Sequence, residues 1–205
     1  MNVGIVNYGM GNLASVYRAI ETIGYKPFIA DYPSDLRRAS RIVLPGVGAF
    51  ADGIDRLDGA GWTAEIRHLV GEVKVPLLGI CLGMQFLADS GSEGGPRRGL
   101  GFVPGHIAFL AEAGCAERVP HVGWNDIHLT RSDPLFAEIP EGTDYYFVHS
   151  YAFEVSDPAD LLGTVDYGCT VAAAVRRENV WGTQFHPEKS SKAGLQLLRN
   201  FIERS

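Results

Sequence analysis

Short runs of apolar, β-branched residues alternate along the chain with stretches whose apolar positions recur every three or four residues. This pattern predicts an α/β fold with a doubly wound, mostly parallel sheet flanked by helices. The first unit is the clearest. Val3-Gly4-Ile5-Val6 reads as a strand, residues 7–11 as a glycine-rich turn, and Asn12 as the N-cap of a helix with Leu13, Val16, Ile20 and Ile23 at helical spacing. Gly24 ends that helix, and Pro27 to Ala30 begins the next strand. Further strands are expected over Arg41–Leu44, Pro76–Ile80, Tyr145–His149 and Val180–Phe185. Helices are expected over Ala60–Val70, Leu82–Asp89 and Ser191–Glu203, the last with Leu195, Leu198 and Ile202 on one face. Residues 91–99 read as a surface loop, and Gly101 to Tyr151 as a smaller, β-rich and irregular portion. No repeat or linker interrupts the pattern, so residues 1–205 are expected to form one domain.

Composition narrows the function classes. At 46% apolar and 20% charged residues the chain can bury an ordinary globular core. No basic region precedes the N-terminal apolar residues, and no run approaches the roughly 18 apolar residues of a membrane span, so a cytoplasmic location is expected. A net charge of −6 without a Lys/Arg-rich run offers no footprint for nucleic acid or an anionic membrane. The partner is then a small molecule or another protein. Cys81, Cys115 and Cys169 are odd in number, far apart and without CxxC spacing, which argues against disulfides and structural zinc and predicts reduced thiols.

One of those cysteines has the setting of a nucleophile. Gly79-Ile80-Cys81-Leu82-Gly83 follows an apolar strand and opens a helix, and glycines are needed where a side chain is held on a sharp strand-to-helix turn. A helix N-terminus favours thiolate over thiol, and the Leu82 N–H can help hold an oxyanion. Taken alone, Cys81 could equally be a small buried residue at a strand end. A thiolate nucleophile needs a base, and the base needs a third group to orient it. Gln184-Phe185-His186-Pro187-Glu188 follows the last strand, which places His186 at the same sheet edge as Cys81, where α/β folds bind ligands. Pro187 enforces extension on His186, so Glu188, two residues on, can reach the imidazole. Without Cys81 the same segment would read as a turn before the final helix. Pro45-Gly46-Val47-Gly48 ends another strand at that edge with backbone N–H groups free to face a site. His68, His106, His121, His128 and His149 form no metal-ligand pattern, and neither a metal nor a cofactor is called for. His149 ends an apolar strand and precedes Ser150-Tyr151, polar groups able to grip a ligand.

Together, Gly79 to Gln85 and Gln184 to Lys189 resemble the class I (triad) glutamine amidotransferases. Residues 7–13, 45–48, 120–125 and 146–151 extend the resemblance over almost the whole chain. It is nearest to members that serve a separate (β/α)8-barrel cyclase subunit in histidine biosynthesis. Asn7 and Val122 depart from that pattern, where Asp and Met are usual. The resemblance implies hydrolysis of L-glutamine by a Cys81-His186-Glu188 triad, with ammonia channelled to the cyclase in a heterodimer. It implies an oxyanion strand at Gly46, Val47 and Gly48, glutamine-holding positions at Gln85, His149, Ser150 and Tyr151, and a partner interface at Asn12, Trp124, Tyr146 and Lys189. The alternatives are a paralogous glutaminase that feeds a sugar-modifying amidotransferase, a γ-glutamyl peptidase on the same scaffold, and a non-enzymatic binding module.

Overall fold

The computed structural model describes every residue from Met1 to Ser205. Along the chain run β1 (Val3–Val6), α1 (Leu13–Thr22), β2 (Pro27–Ala30), β3 (Arg41–Gly46), α2 (Phe50–Gly59), α3 (Trp62–Ile66), β4 (Leu77–Cys81) and α4 (Leu82–Gln85). Two short strands follow, β5 (Ser90–Gly91) and β6 (Arg97–Arg98), then β7 (Gly105–Phe109), β8 (His121–Asp126), β9 (His128–Leu129), β10 (Asp144–His149) and β11 (Tyr151–Val155). β12 (Leu161–Asp166), β13 (Thr170–Arg177), β14 (Val180–Thr183) and α5 (Ser191–Arg204) complete the chain.

The main sheet has the order β2-β1-β3-β4-β14-β13-β12-β9. Its first five strands are mutually parallel, and the last three are added antiparallel. A separate ribbon, β10-β8, and a small sheet, β11-β7-β5-β6, supply the β-rich portion expected from the sequence. Alternation along the central strands explains the layering. In β3, Ile42 and Leu44 join the core formed with Ile54, Leu57, Trp62 and Ile66 of α2 and α3. Val43, between them, joins Val16 and Ile20 of α1 and Leu197, Leu198 and Phe201 of α5 on the other face. Each such fully buried aliphatic side chain stabilises the fold by about 1.5–3 kcal/mol, so both faces of the sheet are firmly anchored. No helix is long and apolar enough to cross a membrane.

Several elements differ from expectation, each for a physical reason. α1 starts as predicted, with the Asn12 side chain accepting from the Ser15 N–H at 3.3 Å. The helix expected over 60–70 begins at Trp62, is preceded by α2, and widens into a π-turn over Arg67–Glu72. α4 stops at Gln85, short of Asp89, because the Phe86 carbonyl accepts from Leu100 N (2.7 Å) and the Leu87 carbonyl from Phe102 N (2.9 Å). Those bonds fold the following chain back. Within the expected loop 91–99, Arg97 pairs with Asp55 of α2 through its Nε at 2.8 Å. Cys115 and Cys169, expected as reduced thiols, are joined in a disulfide. The fold brings the loop before β8 against the β12–β13 turn, so that residues 54 apart in sequence have Cα atoms 4.8 Å apart. Spacing along the chain could not show that approach. Cys81 is left as the free cysteine.

Candidate active site

Cys81 is the last residue of β4, paired in register with Gly46 of β3, and it adopts φ 54° and ψ −110°. A non-glycine residue held there costs on the order of 1–3 kcal/mol, a strain the surroundings must impose. They do so through close packing. A Cβ on Gly79 would lie 2.5 Å from the Gly83 carbonyl oxygen, and one on Gly83 would run into the Leu44 carbonyl. The elbow turns Cys81 into a cavity of about 460 Å3 bounded by Val47 to Ala49, Leu82, Gln85, Glu93 and 148–151.

His186 lines the same cavity and is buried. Its Nδ1 lies 2.8 Å from Glu188 Oε1, a carboxylate that is also buried. Nε2, on the far side of the ring, has no fixed hydrogen-bond partner and is left for Cys81 and for a ligand. Burial opposes the charged ring, but the Cys81 sulfur and the Glu188 carboxylate outweigh it and hold the imidazole up at about 9. The ring is therefore held as imidazolium beside the Cys81 sulfur, with Glu188 fixing the proton on Nδ1.

At the end of β3, Val47 and Gly48 face the cavity, whereas Gly46 does not line it. Gly46 is instead wedged, since a Cβ there would fall 2.6 Å from the Tyr8 hydroxyl. Gly48 has φ +102°, which explains glycine at that position. The N–H groups of Val47, Gly48 and Ala49, residues that line the cavity, make no backbone hydrogen bond, and Leu82 opens the helix that follows Cys81. The Tyr8 hydroxyl is buried without a partner, and burial together with Cys81 pushes its phenol well above its usual range. It stays a neutral donor.

The opposite wall carries Gln85, His149, Ser150 and Tyr151, all four of which line the cavity. Two of these side chains are committed to the protein. His149 Nδ1 donates to the Tyr151 carbonyl (2.9 Å), and its Nε2 accepts from His121 Nδ1 (3.1 Å). Burial lowers His149 to about 3 and His121 to about 4, so both rings are neutral and hold the 149–151 backbone in place. Gln85 Nε2 donates to the Tyr151 carbonyl (3.0 Å) and to Gln184 Oε1 (3.1 Å), which leaves its own oxygen for a ligand. Glu93, in the segment read as a surface loop, also lines the cavity. Burial raises its carboxyl, partly offset by the Phe50 N–H at 3.2 Å. Sequence reasoning missed Glu93, Gln184 and His121. Only Gln184 carried a signal, because it sits two residues before His186 in extended chain and shares its side.

Outside the cavity mouth the β8–β10 ribbon pairs Trp124 with Tyr146 and Val122 with Val148. Val122 and Trp124 are more than half exposed and Val148 more than a third. Alternate residues on the same strands, His121, Tyr145, Phe147 and His149, face inward and are buried. Lys189 places its Nζ 5.7 Å from the Tyr146 ring centre, and that ring lies 6.5 Å from His186. Asn12 lies at the start of α1, where its side chain caps the helix, and Ser15 one turn on shares a surface groove with Lys189.

The glutamine amidotransferase class-I family pattern matches residues 4–204. The chain is 47% identical over 201 residues to the imidazole glycerol phosphate synthase subunit HisH of Moorella thermoacetica, covering 98% of this chain and 94% of that protein. It is 43% identical over 201 residues to the HisH subunit of Archaeoglobus fulgidus, covering 98% and 97%. Among solved structures, one described as a glutamine amidotransferase superposes with a TM-score of 0.77 at 20% identity, covering 98% of this chain and 97% of that one. Another glutamine amidotransferase, from Thermotoga maritima, gives 0.65 at 17% identity, covering 100% and 97%. These two likenesses bear on the fold.

Proposed function

Because the chain belongs to the class I glutamine amidotransferase family, we infer that it is the glutaminase subunit of imidazole glycerol phosphate synthase. It hydrolyses L-glutamine to glutamate and ammonia. The observation that carries the reading is the placement of His186 between Glu188 and the Cys81 cavity. The Cys81 thiolate attacks the substrate carboxamide carbon, and the amides of Val47, Gly48 and Leu82 receive the developing oxyanion. His186, charged at neutral pH, protonates the leaving nitrogen as the thioester forms. It then deprotonates the water that releases glutamate, with Glu188 stabilising its charged form. The Gln85 oxygen and the Glu93 carboxylate are acceptors suited to the substrate ammonium, and the Ser150-Tyr151 segment lies where the α-carboxylate would rest.

A raised imidazole has a kinetic signature. kcat/KM is expected to fall as pH rises through about 9, where His186 loses the proton it must give to the leaving group. A pH–rate profile checks this, and a basic limb near 6.5, the ordinary imidazole value, would remove the general-acid role.

Ammonia released into bulk water would be protonated and lost, so it passes to an acceptor site through protein. The apolar ribbon face of Val122, Trp124, Tyr146 and Val148, beside Lys189, suits docking of a (β/α)8-barrel cyclase as a heterodimer in the cytoplasm. Relatives at 43–47% identity over nearly full length carry the HisH name, which favours the histidine pathway over a sugar-modifying paralogue. Glutamine hydrolysis by the whole 205-residue glutaminase domain is measured with and without the barrel subunit and its nucleotide ligand. Slow turnover alone and a large rise in the complex are expected. Full turnover by the isolated chain, or no response to the barrel, sinks the assignment. In the same system Trp124→Ala is expected to weaken the complex by about 2 kcal/mol, roughly 30-fold in Kd, with the unfolding temperature unchanged. Calorimetric titration reads that directly.

A further inference from the structure

We propose that Gln184 belongs to the catalytic machinery: its side-chain amide holds the Cys81 sulfur through an N–H···S hydrogen bond whose direction Gln85 and the Tyr151 carbonyl impose. This rests on the reading of Cys81 as the nucleophile.

Gln184 is fully buried, its backbone N–H tied to the Ala173 carbonyl at 2.8 Å where β14 ends. Its Nε2 lies 3.7 Å from Cys81 Sγ. An amide can face either way, and its orientation is decided by its partners. Here the partners leave one choice. The Tyr151 carbonyl can only accept, so the group of Gln85 beside it is the Nε2 donor, at 3.0 Å. The second hydrogen of that same nitrogen points to Gln184 at 3.1 Å, so Gln184 must present its oxygen there. Its two N–H donors are then turned toward the sulfur. The sulfur's other hydrogen-bond contact is the Val148 carbonyl at 3.9 Å, a group that can only accept. Gln184 supplies the opposing donor. A hydrogen bond to a partner that gains negative charge strengthens, so this amide holds the sulfur and fixes its direction of attack. The chain of bonds also links the sulfur to Gln85, on the wall where substrate binds, and so couples nucleophile position to a filled site.

The test is the rate at which iodoacetamide alkylates Cys81 in the full chain at pH 8. Cys81 is the free cysteine, so the label reports on it, and no glutamine is involved. Failure of the glutaminase reading would show instead as absent glutamine turnover by wild type. Gln184→Met, which keeps the length of the side chain and removes the donor, is expected to slow alkylation about tenfold. Its kcat is expected to fall by a similar factor with KM within about twofold. Gln184→Glu keeps the acceptor for Gln85 and replaces the donor by a carboxylate, so it is expected to slow alkylation further. It also serves if the Met variant does not fold. A merely structural role would lower the unfolding temperature and leave the folded protein's alkylation rate at the wild-type value. That result in either variant overturns the proposal.

Discussion

Replacing Cys81 by alanine is expected to lower glutamine hydrolysis by roughly 10⁴-fold or more, because the thioester route disappears and only binding and oxyanion donors remain. The chain should still fold. Cys81 is a small side chain at the end of β4, and alanine keeps the strand, the register with Gly46 and the packing of Gly79 against Gly83. The strained φ persists as well, so no relief of strain hides the loss. Glutamate production and a thermal melt measure the two halves of this expectation. Cys81→Ser is expected to be nearly as inactive, since a hydroxyl beside His186 does not ionise as a thiol does. Turnover near the wild-type rate in either variant would remove the nucleophile assignment.

Glu188→Gln should cost roughly 10³-fold in kcat/KM with little change in glutamine binding. The substitution keeps the shape beside Nδ1 but removes the charge that stabilises the imidazolium. Its sign in pH is fixed by linkage. His186 is raised above its unfolded value, so its contribution to stability is complete below about 6.5 and is lost as pH rises through about 9. Without the carboxylate that window narrows from its upper end, and the basic limb of the rate profile moves down. With the carboxylate gone, burial still opposes the charged ring and the Cys81 sulfur alone supports it. A Glu188→Gln profile superimposable on wild type would exclude an electrostatic role for this carboxylate.

Much of this site can be read from local sequence, and the reasons are specific. Cys81, His186 and Glu188 are announced by strong punctuation: glycines at 79 and 83, and a proline that forces extended chain between the imidazole and its carboxylate. α1 is equally legible because its cap, its apolar stripe and its terminating glycine agree. α2 is not, since Gly53 and Gly59 dilute its helical signal. Gly53 is there because the Phe86 ring lies against it. Glu93 escaped notice for a different reason. It sits among small and polar residues that read as a loop, and only the tertiary fold turns it into the cavity. His149 is legible as a polar residue at a strand end, but the bonds of its ring to His121 and to the Tyr151 carbonyl depend on the pairing of β8 with β10. The Cys115–Cys169 tie depends wholly on a long-range approach that no spacing rule encodes.

The ribbon β8–β10 pairs with neither of the other two sheets. The reacting groups, by contrast, are carried by β3, β4 and the end of β14, three adjacent strands at the centre of the main sheet. Two bonds bridge these parts at one residue: the His186 N–H donates to the Tyr146 carbonyl at 2.9 Å, and the Tyr146 N–H donates to Ser190 Oγ at 3.0 Å. The ribbon thus forms a jaw set against the main sheet, with Tyr145 and Phe147 buried in their shared core and a hydrogen-bonded linkage to His186 at Tyr146. A load applied to the outer face of that jaw bears first on the peptide of the general acid, so a protein seated on Trp124 and Tyr146 would hold a lever on proton transfer without entering the cavity.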